Sequence, residues 1–267
     1  MILVDGPTGD AITTKEAVEL TEVCITGNID IIQFATNRGI GAGLNNFVKI
    51  AKKRSDQFLI VFDQDTLPNI GIVEQLIDSF RSIQMSGEKI AALGPVPITA
   101  PGHDTKAPTY RERRSCDKAR DIRAVDFLIT SGCLLSLEAL EDVGNFNEPY
   151  RMDAIDVEWC FRAWSKGWSV WVDRTLYITH SVGEARLVFG PLNFPKQNMS
   201  RMRTYIRNQC NLLTLEHVPW HWKIRTTVYL PLQIAVFAMN TARPIGTVRI
   251  LLHAVREGLR FQEHRSG

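Results

Sequence analysis

Phe58-Leu59-Ile60-Val61-Phe62 is a short run of branched and aromatic side chains that stops abruptly at Asp63-Gln64-Asp65. A run this brief and this apolar reads as a buried strand rather than a helix. Open α/β sheets gather their ligands at the carboxyl ends of the strands, so such a strand delivers both carboxylates to the functional edge. Two hard oxygen donors there suit a Mg²⁺ or Mn²⁺ ion carrying a diphosphate. A plainer reading fits the same residues. Asp-x-Asp followed by Thr66-Leu67-Pro68-Asn69 is good chemistry for a polar turn leaving a strand. Spacing alone leaves both open.

The flanking sequence alternates short apolar runs with longer helical patterns. Met1–Val4 reads as a strand running into a loop at residues 5–10, Thr13–Val23 as a helix, and Ile29–Phe34 as a strand. The glycine-rich stretch Asn37–Asn46 enters a helix that runs to Lys53. Its amides would cradle a phosphate at the helix N-terminus, although it matches neither the dinucleotide-binding nor the P-loop pattern. Ile70–Met85 is amphipathic, and Ile90–Pro95 is a further strand. From Pro95 to Arg123 periodicity fades, and Arg111-Glu112-Arg113-Arg114 reads as a solvated, mobile segment or a site-covering loop. Val125–Thr130 and Cys133–Ser136 read as strands around Ser131-Gly132. Leu137–Val143 reads as a helix stopped by Gly144, and Trp168–Val172 as a strand. Alternating elements of this kind build a largely parallel, doubly wound sheet.

A second acidic cluster, Asp153-Ala154-Ile155-Asp156-Val157-Glu158, opens a helix over Ala154–Ser165 that closes at Lys166-Gly167. Asp153 as N-cap, with Asp156 three residues on, makes a capping box, and acids suit the positive end of a helix. Glu158 and Arg162 have the spacing of an ordinary surface pair. Alternatively, Asp156 faces the ligand side of the sheet as a general base.

The five cysteines have no C-x-x-C spacing, which favours reduced thiols inside a cell. No basic region followed by an apolar stretch marks a signal peptide at Met1. Charge is uneven: residues 1–200 hold 21 basic and 26 acidic residues, whereas residues 201–267 hold 10 and 3. A cationic tail that is apolar between its charges favours a membrane surface over nucleic acid. Thr226–Ala242 lacks charge but contains Pro231, Gln233 and Asn240, which argues against a span. Trp220, Trp222 and the neighbouring cations suit an interfacial or dimer-forming helix.

In order along the chain, these pieces resemble a family-2 glycosyltransferase of the GT-A fold, in its bacterial rhamnosyltransferase-like branch. The residues carrying the resemblance are Val4-Asp5 with Thr8 and Asp10, Asn37-Arg38-Gly39 with Gly43 and Asn45, Phe62 to Asp65, and Ser131-Gly132-Cys133. They continue with Gly144 to Glu148, Ile155 to Arg162 with Gly167, His180 to Gly183, and Arg203-Thr204-Tyr205 with Arg207-Asn208. Residues 1–215 would form the GT-A domain, a doubly wound, mostly parallel sheet, and 216–267 a helical, basic C-terminal extension. Members of the family begin with a further strand and helix before the segment matching Met1, so the chain reads as amino-terminally shortened, with an edge exposed.

The resemblance implies roles. Asp63 and Asp65 would bind the divalent cation, with His180 as a further ligand. Asp5, Asn37, Gly39, Gln64, Ser131, Gly132 and Arg207 would surround the nucleotide-sugar. Asp153 and Trp159 would lie on the acceptor side. Asp156 would deprotonate the acceptor hydroxyl for attack with inversion at the anomeric carbon. The implied reaction moves rhamnose from dTDP-rhamnose to a surface polysaccharide or its lipid carrier, in the cytoplasm or on the inner face of the cell membrane. Two other classes fit the same fold: an inactive GT-A-like scaffold, and a nucleotidyltransferase.

Overall fold

The computed structural model describes residues 1–5, 30–64, 66, 68–99, 108–117, 121–179, 186–189, 192–195 and 197–261. The helix expected at Thr13–Val23, the loop before it, Asp65 and His180 lie outside these residues. Strand β1 (Ile2–Asp5) pairs in parallel with β2 (Ile31–Phe34), Ile2 opposite Ile31 and Asp5 opposite Phe34. Helix α1 (Ile40–Lys53) follows, then β3 (Phe58–Val61), α2 (Ile72–Met85) and β4 (Ile90–Ile98). Next come β5 (Glu112–Asp117), β6 (Ile122–Val125), β7 (Cys133–Ser136) and α3 (Leu137–Val143). A 3-10 turn at Glu148–Tyr150 leads to α4 (Ile155–Ser165) and the long strand β8 (Ser169–Thr179). The hairpin β9 (Arg186–Phe189) and β10 (Leu192–Pro195) precedes helices α5 (Met199–Thr214), α6 (Trp220–Met239) and α7 (Pro244–Arg260).

The main sheet has the order β3-β7-β4-β8-β6-β5. It is mixed: β4 and β8 pair in parallel, whereas β7 and β6 pair antiparallel with their neighbours. By these pairings β3, β4, β8 and β5 run one way, with β7 and β6 inserted against them. The carboxyl ends of β3 and β4 therefore share an edge with the start of β7. Alternation along the strands splits the core. Leu93, Leu134 and Trp171 meet α2 through Leu76, Phe80 and Ile83. Ala92, Leu135 and Val172 turn the other way, toward Leu140 of α3, Phe161 of α4 and Val48 of α1.

Four local expectations change. The apolar run does form β3, but all four of its residues are only partly buried, because among the described residues its sole ladder partner is β7. The β1–β2 ladder stands apart from the main sheet. Arg111–Arg114, read as a solvated segment, lies against and within edge strand β5. An edge strand tolerates charge, and here Arg113 sits 4.2 Å over the Trp164 ring while its Nε donates to buried Asp126 at 2.6 Å. Of the strand expected over 125–130, only Val125 belongs to β6.

Helices α5, α6 and α7 share a core of their own, with Ile206, Cys210, Leu230, Ile234, Phe237 and Leu251. Gly258 is packed so closely on α5 that an added Cβ would lie 2.2 Å from the Arg207 carbonyl oxygen. Trp222 fixes the group to the sheet domain through edge contacts with Phe127 and Phe161. Cys133, Cys160 and Cys210 are buried free thiols, as core cysteines should be. No helix among the described residues is long and apolar enough to cross a membrane.

Candidate active site

Three segments distant in sequence build the candidate site, the first at the start of α1. Strand β1 ends in Asp5, whose Oδ1 accepts from the Arg38 amide at 2.6 Å and Oδ2 from the Gly39 amide at 2.8 Å. A carboxylate at a helix N-terminus meets unpaired donors and the positive end of the dipole. It occupies the place a phosphate would take, and the neighbouring amides of Ile40, Ala42 and Gly43 are also bonded, to Arg151 and Gly39 carbonyls. The glycine-rich turn is therefore not a phosphate cradle. Its glycines serve close packing: Gly39 has φ +88° and would set a Cβ 2.6 Å from the Arg151 carbonyl oxygen. Exposed Asn37 accepts from the Arg151 guanidinium through its backbone and side-chain oxygens, at 2.9 and 3.0 Å. The structure thus brings Asp5, Asn37 and Gly39 together at the start of α1.

The second segment is the turn after β3. Ser131 Oγ accepts from the Asp63 amide at 3.0 Å and shares a 2.6 Å hydrogen bond with Thr66 Oγ1, while the Gly132 amide donates to the Val61 carbonyl at 2.7 Å. Gly132 takes φ +75° with Ile178 and Pro95 packed over it, leaving no room for a side chain. Ser131 is almost fully buried. Its hydroxyl holds the acidic turn in shape. Asp63 is partly buried and Gln64 exposed.

The third segment leads into α4, where the backbone is strained. Arg151, Asp153 and Ala154 all have positive φ without being glycine, at 59°, 33° and 72°. Such conformations cost of order 1–3 kcal/mol each and persist only where surroundings enforce them. Asn208 of α5 supplies that enforcement: its Nδ2 lies 2.9, 3.0 and 2.9 Å from the carbonyl oxygens of Tyr150, Met152 and Asp153. Arg207 braces Asn208 Oδ1 and donates to the Pro149 carbonyl at 2.7 Å. The Tyr150 hydroxyl donates to Asn211 at 2.6 Å. Arg207, placed at the nucleotide-sugar by the resemblance, is thus committed to this loop, with Phe261 5.4 Å beneath its guanidinium.

This geometry displaces the capping explanation of the acidic cluster. The N-cap of α4 is Ala154, in the left-handed region, and no side chain caps the helix. Asp153 instead pairs with Arg201 at 3.1 Å, and its buried Oδ2 has no hydrogen-bond partner among the described residues. Asp156 Oδ1 accepts from the adjacent Val157 amide at 2.8 Å. Burial pushes its carboxyl up to about 6, and the negative charges of Asp153 and Asp63 add to the effect. A buried carboxyl whose proton affinity is raised toward neutrality fits a proton acceptor.

Two neighbours on α4 turn away from any pocket. Trp159 is 1% exposed, donates from Nε1 to the Gly144 carbonyl at 2.9 Å and packs on Phe146. It belongs to the core rather than an acceptor site. Glu158 is not part of a surface pair. It is fully buried, chelated by Arg162 at 3.0 and 2.9 Å, and lies 2.9 Å from His217 Nε2. Burial alone would raise its carboxyl, but the close His217 ring and the Arg162 charge hold it below the usual carboxylate range.

The sequence pointed to no site role for Arg151 or Asn208, although Asn208 stood among the matching residues, and Thr66 was read only as part of a turn. An asparagine within a helix, beside an arginine, was the available signal. No group of three or more metal-ligating side chains forms among the described residues, which exclude Asp65 and His180.

No family model matches the chain. Over 238 residues it is 24% identical to the dTDP-rhamnosyl transferase RfbF of Shigella flexneri, covering 87% of this chain and 79% of that protein. The crystal structure of GalNAc-T7 with UDP, GalNAc and Mn²⁺ superposes with a TM-score of 0.50 at 11% identity over 72% of this chain, which spans 38% of that protein's length. Residues 1–349 of S. aureus TarS in complex with UDP align over 92% of this chain and 75% of that one, at 17% identity and a TM-score of 0.46. The chain has a GT-A glycosyltransferase fold, and its sequence is similar to a rhamnosyltransferase over most of its length.

Proposed function

We propose that the chain is an inverting glycosyltransferase that moves rhamnose from dTDP-rhamnose onto a saccharide or lipid-linked saccharide acceptor. The observation that carries this reading is Asp156: partly buried, raised to about 6, and set in the first turn of α4, just after the strained loop and within electrostatic reach of the acidic turn at Asp63. Asp156 takes the proton of the acceptor hydroxyl as its oxygen attacks the anomeric carbon from the face opposite the diphosphate. The bond to the nucleoside diphosphate breaks in the same displacement, and the configuration inverts. One base suffices for this chemistry.

A divalent cation, Mg²⁺ or Mn²⁺, would suit the donor side, where the acidic turn adds the negative charge of Asp63 to the field at Asp156. Asp63 and Asp65 would hold it, with His180 as a further ligand, and it would supply positive charge to the leaving diphosphate. Asp5 and Asn37, at the start of α1, form the nucleotide end in this reading. The rhamnose and dTDP assignments rest on the similarity to RfbF.

The deciding experiment follows dTDP release from dTDP-rhamnose, with and without Mn²⁺, in the wild type and Asp156→Asn. Cation-dependent release with an acceptor, lost in the variant while dTDP binding persists, is expected. A second reading, an inactive scaffold that keeps the fold, draws on the separation of the β1–β2 ladder from the main sheet. Absence of any cation-dependent dTDP binding by calorimetry would favour it.

A further inference from the structure

The solvent side of α6 carries an unbroken apolar stripe. Trp220, Ile224, Val228, Pro231, Ala235 and Met239 are all exposed, at spacings of three or four residues. At 100° per residue they fall within an arc of about 100° and extend along about 28 Å of helix. Trp220 is 79% exposed, Val228 66% and Ile224 61%. The opposite face, Leu230, Ile234 and Phe237, is buried against α5 and α7. A helix that is apolar on both sides needs a second apolar medium.

The charges around the stripe identify that medium. Lys223 and Arg225 flank it, Arg243 follows it, and α7 places Arg249 and Arg256 between exposed Ile245, Leu252 and Leu259. Between Trp220 and Arg260 the only acid is Glu257, and it is engaged by Arg203 at 2.8 Å. A second copy meeting this surface across a two-fold axis would set cations against cations. A sheet of anionic headgroups over acyl chains complements both the stripe and its rim. Trp220 and Tyr229 are the aromatic types enriched at that boundary.

We propose that α6 and α7 form a docking surface for an anionic lipid bilayer, with α6 lying along the interface. The surface is remote in sequence from Asp63 and Asp156, and the inference stands whether or not the transfer reaction does.

Flotation of the full chain with vesicles of phosphatidylcholine, with and without phosphatidylglycerol, tests it. Binding to the anionic vesicles at low salt is expected. Val228→Asp should lower the partition at least about tenfold, and Arg249→Ser with Arg256→Ser roughly 25-fold, each cation being worth about fivefold. Circular dichroism and thermal melts establish that the variants remain folded. Equal binding to neutral and anionic vesicles, or no binding at all, would overturn the proposal. A dimer in light scattering that Val228→Asp splits would overturn it in favour of a second copy.

Discussion

Asp156, at the start of α4, has its proton affinity raised chiefly by burial, and the charge of Asp63, just beyond the first strand of the main sheet, adds to it. Two acids from different elements therefore share one electrostatic site, and each becomes a handle on the other.

Transfer should rise with pH through about 6, because only ionised Asp156 can accept the acceptor's proton. A pH profile of kcat/KM checks this. Asp156→Asn should lose about 10²- to 10⁴-fold in kcat, the usual worth of a general base, without losing dTDP binding. In Asp63→Asn, carbon-13 NMR titration should find the Asp156 carboxyl moved back toward its ordinary range.

Stability should respond to the same group with the opposite preference. Asp156 binds its proton more tightly folded than unfolded, so its contribution is complete below the ordinary carboxylate pKa and is lost as pH rises through about 6. Asp156→Asn should therefore melt higher than the wild type at pH 7.5, with the gap closing toward pH 4. Glu158 behaves inversely, since its folded carboxyl is held low. Glu158→Gln should melt lower than the wild type near neutrality, by about 3 kcal/mol for the buried pair it breaks. That deficit should shrink as acid protonates the wild-type carboxyl.

Asn208→Ala removes the donor that holds three carbonyls of the strained loop. At about 1 kcal/mol for each hydrogen bond, roughly 2–3 kcal/mol of stability should go. The catalytic signature should be a fall in kcat with little change in donor binding, together with faster hydrogen exchange over 150–156. A loss of dTDP affinity equal to the loss of kcat would refute a positioning role.

Gly39→Ala asks an alanine to adopt φ +88° while its Cβ meets the Arg151 carbonyl oxygen. A cost of about 2 kcal/mol or more is expected in urea unfolding. Asp5→Ala strands two amides at the head of α1 and should cost about 1–3 kcal/mol. If Asp5 also meets the nucleotide, dTDP affinity should fall in Asp5→Ala well beyond its change in Gly39→Ala.

What could be read in the sequence was local. The strand before Asp63, the helix after Gly39 and the glycine stops at Gly144 and Gly167 depend on neighbours within a few residues. Asp156 was legible as a candidate, but its rival explanation as part of a cap was excluded only by the positive φ of Asp153 and Ala154. That backbone is imposed by Asn208, more than fifty residues later. Glu158 looked like half of a surface pair because helical spacing cannot reveal that His217 closes over it. Trp159 pointed to a pocket by proximity to the acids, whereas its ring direction was set by Gly144 and Phe146. β5 was missed because charge masks a strand whose other face leans on Trp164.

Among the described residues the β1–β2 ladder meets the main sheet through α1 rather than through backbone pairing. Among the described residues no ladder joins β1 to β3; both lie against α1, where Leu3 packs on Gly43. Hydrogen-bonded ladders resist sliding, whereas side-chain packing yields to small shears. Among the described residues, Asp5 and the strand before Asp63 thus belong to separate ladders that meet on α1, so the span between the two acids is set by side-chain packing rather than by a shared backbone ladder.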